Sequence, residues 1–227
     1  MREVDRAMVE DFGIVLLQMM ENAGRALATV ARERFFEGDA RGHRAVVLCG
    51  AGGNGGGGLV CARWLHAWGC KVTVCLSTYS SKFEGVAGHQ LAILERVGLR
   101  VNPPRESLPA AELIIDALIG YSLRGAPVGP AAEMIDAANA ADAAVLALDM
   151  PSGIDADTGE ARASAIRADA TLTLALPKSG LLKDAARPYV GELYLADIGV
   201  PAELYGRAPL CLGLGAIFAR GDVVRLI

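Results

Sequence analysis

The sequence predicts an α/β protein with a doubly wound, mostly parallel sheet. Three observations carry this. Short, near-continuous apolar runs alternate with helical patterns, as in strands covered on both faces. A glycine-rich turn, seven glycines in the nine residues from Gly50 to Gly58, sits between an apolar run and a helix. Two further apolar runs end in an aspartate, at Asp116 and Asp149. In open α/β sheets, ligands bind beyond the carboxyl ends of the strands, so these three ends define the expected site.

The elements follow in order. Met8, Phe12, Leu16, Leu17, Met20, Ala23, Leu27 and Val30 recur at helical spacing, and Gly13 divides them into two helices. Glu21 and Asn22 lie in the second, either toward a site or on a solvated face. Glu33 to His43 is a connection. Ala45–Leu48 is a strand, Gly50–Gly58 a loop, and a helix begins at Leu59. Val72–Leu76 is a strand and Gly85–Val97 a helix. Arg100-Val101 is a short strand before a Pro103-Pro104 loop. Leu113–Asp116 is a strand, and Pro130 starts a helix over Ala131–Asn139. Ala144–Asp149, Ala170–Leu176 and Gly191–Ala196 complete the strands. No repeat or low-complexity linker interrupts the 227 residues, which read as one domain.

Composition excludes several classes. The net charge is −4 with both signs interspersed, so no basic tract points to nucleic acid. No apolar run approaches the roughly 18 residues of a membrane helix. The acidic start, Met1-Arg2-Glu3-Val4-Asp5, lacks a signal-peptide core, and a cytoplasmic location is expected. Cys49, Cys61, Cys70, Cys75 and Cys211 stand at no metal-ligand spacing and read as small buried hydrophobes. His43, His66 and His89 are scattered, with no nucleophile beside them.

The glycine stretch is an anion-binding corner, where the backbone approaches a ligand closely and a helix start offers free N–H groups. A flexible surface loop is the alternative. It lacks the Gly-Lys-Ser/Thr ending of a P-loop. No acidic residue ends the second strand, which runs into Leu76-Ser77-Thr78, so an ordinary dehydrogenase is disfavoured. Lys178 follows a later strand, either to neutralise a ligand phosphate or as a surface lysine.

These segments, with Met20–Gly24, Asp116–Gly120, Asp149-Met150-Pro151-Ser152-Gly153, Pro177-Lys178-Ser179-Gly180, Tyr189–Glu192 and Ala196–Pro201, resemble the NAD(P)H-hydrate epimerase family, the YjeF N-terminal domain. The likeness runs over nearly the whole chain. It implies a Rossmann-like three-layer αβα sandwich, often a homodimer. It implies interconversion of the R and S epimers of NADHX or NADPHX, hydrated at nicotinamide C6, so that a partner dehydratase can use the S form. Many relatives carry that dehydratase as a C-terminal domain, which 227 residues do not accommodate. Carried over by position, a potassium site falls on Asn54, Asp116 and Ser152. Substrate-binding positions fall on Gly53, Asn54, Gly55, Gly56 and Gly57, on Gly120, Tyr121, Ser122, Leu123, Arg124, Gly125 and Ala126, and on Asp149. Asp149 is the expected proton carrier. One departure stands out: the family loop has asparagine and aspartate where this chain has Gly53 and Gly57. Altered recognition by an active enzyme and a nucleotide-binding relative without catalysis both follow from it.

Overall fold

The computed structural model describes residues 1–227. Its frame is one eight-stranded sheet in the order β3-β2-β1-β4-β5-β6-β7-β8. In chain order these are β1 (Arg44–Cys49), β2 (Lys71–Leu76), β3 (Arg100–Asn102), β4 (Leu113–Ala117), β5 (Ala144–Leu148), β6 (Ala170–Leu174), β7 (Glu192–Ala196) and β8 (Val223–Arg225). The first seven are parallel, and β8 runs antiparallel to β7. The order reverses between β1 and β4. The crevice that opens there is where a doubly wound sheet receives its ligand.

Side chains alternate across the strands, so each buried strand feeds two cores. Val47, Cys49, Ile115 and Ala117 face one core, with Leu27 of α2 (Leu16–Val30), Leu59 of α3 (Gly53–Ala67) and Leu91 of α4 (Gly85–Val97). Val46, Leu48 and Ile114 face the other, with Met134 and Ile135 of α5 (Pro130–Ala140). This is the three-layer arrangement expected. α1 (Arg2–Glu10) adds a third cluster, where Val4 and Met8 meet Ala175 and Ile198 beyond the ends of β6 and β7. Gly13, at φ +68°, makes the break between α1 and α2.

Three sequence expectations need correcting. The glycine stretch is not a loop: α3 begins at Gly53, so four of its glycines, Gly55–Gly58, lie within the first two helical turns and are buried. A Cβ on Gly55 would sit 1.6 Å from the Gly50 carbonyl oxygen, and one on Gly58 would sit 2.5 Å from Ala117 Cβ. The missing side chains let the helix lie directly on the ends of β1 and β4. β8 stands outside the expected strands, because three residues near the terminus carry too little periodicity to read. Cys211 is exposed, while the other four cysteines are buried.

Candidate active site

The site is built at the carboxyl ends of β1, β4 and β5. β4 carries Asp116 into the sheet interior, where it is fully buried. Its carboxylate accepts bonds from the Ser152 amide (2.7 Å), the Ser152 hydroxyl (2.6 Å) and the Leu118 amide (3.2 Å). Ser152 Oγ in turn accepts from the Ile119 amide at 2.9 Å. The segments after β4 and β5 are thereby tied together. Burial pushes the Asp116 carboxyl up to about 6, against the opposing pull of its Ser152 and Leu118 donors. No cationic side chain pairs with it.

Asp149 directly follows β5 with φ +68°, a backbone conformation that asparagine and aspartate tolerate better than most side chains. Its side chain is also buried. Oδ1 pairs with Lys178 Nζ and accepts the Leu174 amide at 3.4 Å, while Oδ2 accepts the Tyr121 amide at 3.3 Å. Lys178 Nζ also donates to Thr173 Oγ1 (3.2 Å) and the Leu174 carbonyl (3.0 Å). Lys178 is therefore neither a surface lysine nor a free phosphate ligand. It is the buried counter-ion of Asp149.

Gly120 joins the two halves. A Cβ there would lie 3.2 Å from Asn54 Oδ1 and 3.3 Å from Asp149 Oδ2. Asn54 stands in the first turn of α3, and its buried Nδ2 has no hydrogen-bond partner. The amides of Gly53, Asn54 and Gly55 precede the first intrahelical bond, which the Gly56 amide makes to the Gly52 carbonyl at 3.0 Å. The free donors are these three. The Gly56–Gly58 amides are spent inside the helix.

A cavity of about 230 Å³ opens over these groups. Of the residues expected at a binding site, Gly53, Asn54, Gly57, Gly120, Tyr121, Ser122 and Asp149 line it. Gly55 and Gly56 pack beneath it, against Gly50 and Met20. Leu123, Arg124, Gly125 and Ala126 do not reach its lining. Met19, Met20, Leu148 and Leu174 supply its apolar floor, and Asp5 reaches it from α1. The two α2 candidates serve structure: Glu21 pairs with Arg63, and Asn22 Nδ2 donates to the Ile198 carbonyl at 3.2 Å. No histidine lines the cavity.

The arrangement defines a class: a Rossmann-like α/β protein with a carboxylate–ammonium pair and a helix start at its switch point. Comparison with known proteins then places it. A sequence profile described as YjeF-related protein N-terminus matches residues 16–180, and the chain belongs to that family. It is 45% identical, over all of its length and 90% of the relative's, to the NAD(P)H-hydrate epimerase of Dehalogenimonas lykanthroporepellens. It is 38% identical to that of Rhodopirellula baltica, over 89% of this chain and 83% of the other. A bifunctional NAD(P)H-hydrate repair enzyme Nnr of Hyperthermus butylicus is 40% identical over 86% of this chain, which spans 36% of that protein. The crystal structure of yeast ynu0, YNL200c, shares the fold, with a TM-score of 0.82 at 22% identity, over 99% of this chain and 96% of the yeast chain.

Proposed function

We propose that this protein is an NAD(P)H-hydrate epimerase, an isomerase that interconverts the R and S forms of NADHX or NADPHX. The observation that carries the reading is Asp149, buried, paired with Lys178 and facing a cavity at the switch point. The 45% identity to a protein of that name, over the whole chain, supports it.

The chemistry fits the geometry. C6 of the hydrated nicotinamide bears a hydroxyl beside the ring nitrogen, so it is a hemiaminal centre. Protonation of that hydroxyl lets the nitrogen lone pair expel it as water and leaves a planar iminium ion. Water adding to the other face gives the opposite epimer. Asp149 carries the proton, and Lys178, bonded to its Oδ1, holds the carboxyl group in place beside the cavity. The cavity is smaller than the roughly 300–1,000 Å³ of a drug-sized site, so it takes the nicotinamide end. The phosphates lie toward the free amides at the start of α3.

Asn54, Asp116 and Ser152 fit a potassium ion. They offer oxygen donors, and Asp116 is a buried carboxylate lacking a cationic partner. When bound, the ion supplies the charge that this carboxylate lacks and fixes the segments around Gly120. Saturable thermal stabilisation by potassium chloride, absent with choline chloride at equal ionic strength and absent in Asp116→Asn, is the expected result.

The reading without catalysis rests on Gly53, where a Cβ would meet open space, and on Gly57. Its helical backbone has no positive φ, and an added Cβ meets only the far end of the Leu148 side chain, at 2.8 Å. The glycine alters one cavity wall and leaves the Asp149–Lys178 pair in place. The exposed apolar side chains of Val15, Leu16 and Leu17 at the start of α2 support the homodimer. The bifunctional relatives support a dehydratase as the consumer of the S epimer. No helix is long and apolar enough to cross a membrane. The test is incubation of the R epimer with purified protein: catalysed approach to the R/S mixture is expected, and exchange at the uncatalysed rate would overturn the reading.

A further inference from the structure

α1 lies before the profile-matched segment, yet it sends a side chain into the cavity. Its three carboxylates, with that of Asp11 just beyond, divide sharply. Arg6 binds Glu3 (2.6 Å), Glu10 (2.9 Å) and Asp11 (3.0 Å). Asp5 pairs with no cation. Adjacent residues on a helix point different ways, so Asp5 turns from Arg6 toward the cavity. There its Oδ2 accepts the Tyr121 hydroxyl at 2.5 Å, and its Oδ1 makes no bond.

Tyr121 links this carboxylate to the first one. Its amide donates to Asp149 Oδ2, its hydroxyl donates to Asp5, and its ring lies 5.9 Å from Lys178 Nζ. Asp5, Tyr121 and Asp149 all line the same cavity. Burial, then the Asp5 carboxylate, push the tyrosine hydroxyl above its ordinary range, so Tyr121 stays a donor and does not itself supply the base.

Inverting a carbon through a planar ion needs proton transfer at both faces. One group protonates the departing hydroxyl, and another deprotonates the arriving water. Asp149, packed at the end of β5, serves one face. We propose that Asp5, positioned by Tyr121, is the second acid–base residue of the reaction. As the new C6–O bond forms, the π electrons of the iminium return to nitrogen and the proton of the adding water passes to Asp5. In the reverse direction Asp5 returns that proton to the leaving hydroxyl, and Asp149 accepts one. Solvent resets both groups between turnovers.

This inference rests on the epimerase reading, and the test separates the two. Asp5→Asn keeps an oxygen that can accept the tyrosine hydroxyl but removes the base. The expected result is a kcat for NADPHX exchange lower by about 10²-fold, a KM within about twofold of wild type, loss of one limb of the pH–kcat profile, and partial recovery in Asp5→Glu. A purely structural latch predicts wild-type kcat and an unchanged profile in Asp5→Asn, and that outcome would overturn the proposal. Should Asp5→Asn fail to fold, Tyr121→Phe decides: a shifted limb supports the role, and an unmoved one contradicts it. No exchange by the wild type would overturn the epimerase reading and this role together. Exchange by wild type and Asp5→Asn alike would overturn this role alone.

Discussion

A buried carboxylate–ammonium pair is unforgiving when halved. Asp149 and Lys178 sit together among Thr173, Leu174 and Tyr121 with almost no solvent contact. Removing one partner of such a pair costs about 3–5 kcal/mol, whereas replacing both is often neutral. Lys178→Met is therefore expected to lower the unfolding midpoint in urea sharply. Adding Asp149→Asn to it is expected to recover most of the loss, a coupling that a double-mutant cycle measures. Independent, additive losses would show that the pair is not a unit. At this scale the chain was partly legible. Asp116, Asp149 and Ser152 announce themselves as polar residues at strand ends. Lys178 was ambiguous, since only the folded chain shows that Thr173, five residues earlier, shares its ammonium with Asp149. Asp5 was hidden because nothing local marks a carboxylate that turns away from a neighbouring arginine.

The glycine-rich stretch decides how closely α3 approaches the sheet. Helical glycine is costly by about 0.5–1 kcal/mol relative to alanine. The chain bears this at Gly55 because the Gly50 carbonyl occupies the space of a side chain. Gly55→Ala is expected to destabilise by about 1–3 kcal/mol through overpacking. Gly53→Ala, with open space and no positive φ, is expected to be neutral or slightly stabilising. Thermal unfolding of the two variants measures this, and equal effects would contradict it. Glycine frequency alone reads as a loop, which is why the sequence misplaced the helix start. Strands and the remaining longer helices read correctly because their apolar periodicity is strong. The α4 boundaries, Gly85–Val97, coincide with those expected.

Across the molecule, the sheet order places the three marked strand ends around one crevice, while charges at the rim tie distant segments together. Glu192 at the start of β7 binds Arg34, which follows α2, at 2.9 Å and accepts the Tyr194 hydroxyl at 2.5 Å. Arg34, then Tyr194, hold its carboxyl down at about 2, against an ordinary value of 4.5. A depressed carboxylate adds stability that is present above its unfolded value and lost as pH falls toward its folded one. Between about pH 4.5 and 2, the wild type is expected to lose a contribution that Glu192→Gln never had. At a partly exposed site the effect is about 0.2–1 kcal/mol. Urea midpoints across that range measure it, and parallel pH curves for the two proteins would contradict it.

The central claim is that Asp149, facing the cavity at the switch point of this sheet, moves the proton in C6 epimer exchange. Asp149→Asn is nearly isosteric but cannot carry the proton. Exchange of R and S NADPHX, followed with wild type and Asp149→Asn under conditions where both remain folded and bind nucleotide, tests this most directly. The account predicts catalysed exchange in the wild type and a loss of about 10²–10⁴-fold in the variant. Exchange at the full rate in Asp149→Asn, or none above the uncatalysed rate in the wild type, would contradict it.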